Sequence, residues 1–150
     1  MRRLHSVRFA PRVAAAVVPI TPFHTPVRMK DPIQLLEHKG QQIVYLDFTQ
    51  CTEPSEGVER VARARSWFGR QAPDKSLRVC SDATGSRYDA KLLEALKELA
   101  QHNVPYVGVA AAVVPTAVHR VALNVASLFS KRRFTAFTDR QAALDWLAKQ

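Results

Sequence analysis

The chain has 150 residues, 47% of them hydrophobic and 23% charged, with a formal net charge of +9 and two cysteines. That length and balance fit one globular domain with a sizeable core. Cys51 and Cys80 stand far apart and in no CxxC pair, which excludes a disulfide framework or a zinc ribbon and fits a reducing cytoplasm, and no run approaches the roughly 18 apolar residues of a membrane span.

The positive charge is unevenly spread. Arg2, Arg3, Arg8, Arg12 and Arg28 fall in an acid-free start, leaving 17 basic against 13 acidic residues from Met29 onward. A net charge of this sign points to nucleic acid or an anionic surface. The body is only mildly basic, however, and no aromatic motif interleaves with its cations, so nucleic acid is not an expected partner. Residues 1–28 are rich in Arg and Pro and show neither helical nor strand periodicity. They are expected to be a disordered arm or translated upstream sequence, with the folded domain over 29–150.

Pro32 to His38 and Ile43 to Thr49 are apolar runs separated by Lys39, Gly40 and two glutamines and read as a hairpin with its turn at the glycine. CTEPSEG then opens a helix that should reach about Arg70, with Pro54 tolerated in its first turn. Val58, Val61, Ala62 and Phe68 are expected on one face, Arg65 within it as a snorkelling stem or an anion contact, and Trp67 pointing away. LRVCSD is the next strand. After the loop ATGSRY, Asp89 caps a helix whose inner face carries Leu92, Leu93, Leu96, Leu99 and Ala100 and which ends near His102 at a left-handed Asn103. VPYVGVAAAVV is apolar throughout, as in a parallel strand covered on both faces.

Pro115 and Thr116 begin a helix to about Ser130, with Val118, Val121, Ala122, Val125, Leu128 and Phe129 as its apolar stripe and His119 on the flank. Lys131, Arg132 and Arg133 follow, placed to offset the negative end of the helix dipole or to meet an anionic membrane or partner. Phe134 to Phe137 is a short strand. Thr138 and Gln141 fit a capping box for a last helix with Ala143, Trp146 and Leu147 inward. The expected class is therefore α/β, order ββαβαβαβα, with an antiparallel N-terminal hairpin on a mostly parallel sheet.

In such a sheet ligands sit beyond the carboxyl ends of the strands, at the loops Thr49 to Thr52, Asp82 to Tyr88 and Val113 to Thr116. Asp82, Thr84, Gly85, Ser86 and Arg87 form the densest polar cluster; with Thr116 and His119 they make the candidate ligand- or partner-binding set. No phosphate-binding GxxxxGK[ST] loop, GxGxxG or GxSxG is present, and the five histidines form no HxxH or HExxH pair. No catalytic residue, cofactor or metal is assigned. Asp47, inside an apolar strand, reads either as solvent-facing or as a perturbed carboxylate.

IVYLDFT, PSEGVERV, LRVCSDATGSRYDAKLLEALK, YVGVAAAVV and RFTAFTDRQAALDWL resemble the bacterial SpoIIAA-like group of STAS domains, a group also likened to CRAL-TRIO lipid carriers. The resemblance spans about Asp31 to Lys149, chiefly through Asp82 to Gly85 and the closing AALDWL. It implies a STAS-like fold and a small cytoplasmic binding module without established enzymatic activity. Such a module takes an apolar or lipid-like ligand and touches membranes, here at the inner membrane face; its regulatory relatives bind protein partners and use, as a switch, a phosphorylated serine at the start of the helix after this loop. This chain departs from that pattern, having Asp89, Ala90, Lys91 and Leu92 there.

Overall fold

The computed structural model describes residues 31–130 and 134–150. The hairpin forms as expected: β1 (Ile33–His38) pairs antiparallel with β2 (Gln41–Asp47), with Ile33 opposite Leu46 and His38 opposite Gln41. Lys39 and Gly40 both take positive φ, the backbone of a two-residue turn whose twist matches its strands. The chain continues through α1 (Pro54–Phe68), β3 (Leu77–Asp82), α2 (Ala90–His102), β4 (Val107–Val113), α3 (Ala117–Ser130), β5 (Thr135–Phe137) and α4 (Arg140–Ala148).

The strands lie in the order β1-β2-β3-β4-β5, parallel from β2 onward. Each crossover steps in the same direction, so right-handed connections put α1, α2 and α3 on one face and leave the other to α4. On the first face Val44, Leu46, Phe48, Val79 and Val107 pack against Val61, Ala64 and Phe68 of α1 and Leu92 and Leu99 of α2. On the second, Ile43, Tyr45, Cys80, Ala111 and Val113 meet Ala143, Leu144 and Leu147 of α4. Asp145 ties α4 to the hairpin, accepting from His38 Nε2 at 2.7 Å and pairing with Lys39 Nζ at 3.0 Å; these contacts hold its carboxyl at about 2.

Several local expectations are corrected. On α1 the buried side is Gly57, Arg60, Val61, Ala64 and Phe68, whereas Ala62 is exposed. The stripe is rotated because Gly57 lets Leu92 approach until an added Cβ would lie 2.8 Å from Leu92 Cδ2, a contact that apolar periodicity does not register. Trp67 accordingly turns inward and packs edge-on to Phe68, and Arg65 is exposed and pairs with Glu98 at 3.8 Å. Asn103 is right-handed at φ −82°, its amide bonded back to Leu99. The last helix is capped by Asp139, which accepts from Ala142 N at 3.0 Å, so the capping box at Thr138 does not form.

The largest revision concerns α3. His119 is only 5% exposed and faces inward, whereas Val118, Val121 and Leu128 are 67%, 61% and 79% exposed. Of the stripe expected to cover the core, Ala122 is buried as expected but Val118, Val121 and Leu128 face outward, and Leu123 and His119 line the inner side beside Ala122. Phe129's side chain and residues 131–133 lie outside the described residues, as does the 1–28 segment.

Candidate functional site

The three loops at the carboxyl ends of β2, β3 and β4 are bound together. β2 and β3 end in the same local sequence, Asp-x-Thr, and their aspartates are register partners. Asp47 Oδ1 accepts from Thr49 N at 3.0 Å and Thr49 Oγ1 at 2.5 Å; Asp82 Oδ1 accepts from Thr84 N at 3.0 Å and Thr84 Oγ1 at 2.6 Å. Each is an Asx turn that lets the aspartate satisfy the backbone where the ladder ends. Phe48 N to Asp82 O, Gln50 N to Thr84 O and Arg87 N to Cys51 O, at 3.0, 2.8 and 2.9 Å, then join loop to loop.

Asp82 is buried and lies on the α4 face, where its Oδ2 accepts from Tyr45 Oη at 2.6 Å. Burial and this bond push the Tyr45 phenol well above its usual range. The Asp82 carboxylate is thus engaged on both oxygens. Asp47 is buried as well, with an Asx-turn role in place of the solvent-facing one. Gly85 takes φ +74°, a conformation an L side chain resists, with the Gln50 amide stacked against it. Ser86 Oγ donates to the Phe48 carbonyl, while Thr84, Gly85, Arg87 and Thr116 are exposed.

His119 closes the group. Its Nε2 lies 3.0 Å from the Ser86 carbonyl, which only accepts, so Nε2 donates to it, and Nδ1 is hydrogen-bonded to Thr116 Oγ1 at 2.6 Å. Tyr88 packs edge-on against it with ring centroids 5.1 Å apart. With both nitrogens engaged, His119 acts here as a fastener rather than a free base.

The structure therefore brings Asp82, Thr84, Gly85, Ser86, Thr116 and His119 into one hydrogen-bonded assembly, with Arg87 attached through its backbone. Sequence reasoning missed Arg60. Its guanidinium is buried under the β2–α1 loop, donating to Thr49 O at 2.9 Å, Asp47 O at 3.3 Å and Glu56 Oε1 at 2.6 Å. The i,i+4 pairing with Glu56 was visible; the burial was not.

Beside this assembly lies a cavity of about 80 Å³ between the sheet, α2 and α3. It exists because α3 rests on α2 rather than on the sheet, and because β4 offers, beside Val107, only the small Ala110 and Ala112 beneath it. Its walls are mostly apolar. Ser81, Tyr88, Asn103 and His119 supply the polar groups, and among the described residues no charged side chain lines it. Burial pushes the Tyr88 phenol up to about 12.

Because the strand order never reverses, the sheet has no switch point of the kind at which doubly wound sheets open a crevice. The space sits under a helix instead of between diverging loops. Among the described residues no group of three or more His, Cys, Asp or Glu converges as metal ligands would. Cys80 is held as a thiol, burial and Asp82 pushing it up to about 12, and burial likewise raises Cys51. No protein-family model, curated protein or solved structure matches the chain.

Proposed function

We propose that this chain is a non-catalytic binding module that holds an apolar or lipid-like small molecule beneath α3 and meets a membrane surface with the outer side of that helix. The observation that carries the reading is the apolar cavity of about 80 Å³ under a helix that stands off the sheet. Pockets for small molecules are typically apolar with a few placed polar groups. The polar assembly next to the cavity supports a binding role over chemistry, since Asp82 and His119 are occupied in fastening loops.

The outer side of α3 supports the membrane half. Val118, Val121 and Leu128 leave an apolar strip in water, which marks interaction surfaces in monomers. The sequence from Leu99 to Thr138 contains no acidic residue, and Lys131, Arg132 and Arg133 follow the helix, a composition attracted to anionic lipid. Among the described residues no helix is long and apolar enough to cross a bilayer. The contact proposed is a peripheral one, at the inner face of a cytoplasmic membrane. The resemblance to SpoIIAA-like STAS domains points the same way.

The test is native mass spectrometry and organic-solvent extraction of mildly purified protein, together with titration of the neutral probe Nile red. Ala112→Leu and, from the opposite wall, Ala122→Leu fill the cavity. Release of a small molecule and probe binding that both variants abolish are expected. A wild-type protein that releases nothing and binds no probe defeats the reading.

A second reading is a STAS-type regulatory module binding a protein partner without the phosphoserine switch. The exposed rim Thr84, Gly85 and Arg87, held rigid by the loop assembly, favours it. Arg87→Glu changes the set of proteins retained on the immobilised chain in this case, and an unchanged set rejects it.

A further inference from the structure

β3 is the central strand of the sheet, with β2 and β4 on its two sides, and its residues alternate between the α4 face and the face of α1 to α3. Cys80 and Asp82 point to the α4 face, while Val79, Ser81 and Ala83 line the cavity. A central strand covered by helices normally buries apolar side chains there. Ser81 instead places a hydroxyl on the wall and remains partly exposed in mid-sheet, so the surface it retains is cavity surface. Among the described residues its Oγ forms no hydrogen bond, and it is not a sealed, unsatisfied atom.

The other polar groups narrow the chemistry. His119 is bonded at both ring nitrogens, to Ser86 and Thr116, and has no donor left to offer. Asn103 Oδ1 is engaged with His102 Nδ1 at 3.1 Å, and the Tyr88 hydroxyl, kept neutral by burial, forms no hydrogen bond among the described residues. The cavity thus offers neutral polar groups only, hydroxyls that can donate or accept and the Asn103 amide, on otherwise apolar walls. It offers no Lys or Arg to pair with an anion and no Asp or Glu to pair with a cation. Burying an unpaired charge is far more costly than burying a neutral group that finds a hydrogen bond.

We propose that the cavity selects an uncharged amphiphile, an apolar body with one hydroxyl, carbonyl or amide group, anchored on the Ser81 hydroxyl at the centre of the sheet. The inference rests on the cavity being a ligand site, and it excludes a carboxylate such as a fatty-acid anion as the preferred occupant.

The test is calorimetric titration of the full chain with 1-octanol and with octanoate, matched in chain length, at a neutral pH where the acid is ionised. The alcohol should bind at least about tenfold more tightly, and Ser81→Ala should weaken the alcohol by about fivefold or more while leaving octanoate unchanged. This substitution removes one oxygen from a partly open site, and a urea unfolding curve for the variant confirms that it folds. Octanoate binding as tightly as octanol, or an alcohol affinity indifferent to Ser81→Ala, overturns the inference while the cavity reading stands. Binding of neither compound overturns both.

Discussion

His119 of α3 donates from Nε2 to the backbone carbonyl of Ser86 at 3.0 Å, fastening the first turn of the helix that roofs the cavity to the loop leaving the central strand. Thr116 Oγ1, 2.6 Å from Nδ1, fixes the ring, and the ring fixes the rotation of the helix. With His119 turned inward, Ala122 and Leu123 follow it toward the sheet, and Val118, Val121 and Leu128 must turn out. One buried polar contact thus decides both what lines the cavity and what meets solvent.

Replacing His119 by Ala leaves the half-buried Ser86 carbonyl without its partner and removes the ring packed on Tyr88. A loss of about 2 kcal/mol is expected in urea unfolding, with hydrogen exchange accelerated in α3 before the rest of the fold. Unchanged stability would show that the contact holds nothing.

Asp82 is predicted to be structural. Asp82→Ala strips an acceptor from Tyr45 and from the Thr84 turn, at a cost of about 2–4 kcal/mol. Tyr45→Phe costs about 1 kcal/mol, and the two changes together cost less than their sum because they break one shared bond. Asp82 lies across the sheet from the cavity, so the Nile red affinity of the folded variant equals that of the wild type. Altered affinity at unaltered stability would return Asp82 to the ligand site.

The element order, the antiparallel hairpin and the parallel strands were legible because period and turn chemistry are local. The Lys39-Gly40 turn and the Asp89 cap are written in adjacent residues. The rotation of α1 was not legible, since it depends on the approach of Leu92 to Gly57, 35 positions apart. Nor was the rotation of α3. Its apolar residues circle most of the helix, so periodicity left two faces open, and the long-range bond from His119 to Ser86 chose between them. The polar cluster at Asp82 to Arg87 was found by composition. Ser81, which faces the cavity, was passed over because a serine in an apolar strand carries no signal until its face is known.

Alkaline conditions should weaken the fold. Tyr88 and Cys80 are both pushed up to about 12 in the native chain, so they keep their protons after the unfolded chain has lost them. Their contribution is whole below the unfolded values, near 8.5 for Cys and 10 for Tyr, and is lost as pH rises from there toward 12. In the window where such a group is ionised only in the unfolded chain, it lowers stability by about 1.4 kcal/mol per pH unit. Denaturant midpoints measured from pH 8 to 11 should therefore fall with increasing slope. Tyr88→Phe should flatten the upper part of the curve, and a curve unchanged by that substitution would remove Tyr88 from this account.

The outward strip of α3 separates stability from membrane contact. Val121 and Leu128 are more than half exposed, so Val121→Glu with Leu128→Glu changes unfolding free energy by no more than about 0.5 kcal/mol per site. The same double variant replaces apolar contact with negative charge on the side proposed to face anionic lipid. It should lose most of its co-sedimentation with vesicles containing phosphatidylglycerol, while the wild type sediments and releases as salt is raised. Nile red binding in the cavity is expected to survive, because Ala122 and Leu123 on the inner side are untouched. Retained sedimentation by a well-folded double variant would place the membrane contact elsewhere, and loss of Nile red binding alongside sedimentation would show that the two faces of α3 do not act separately.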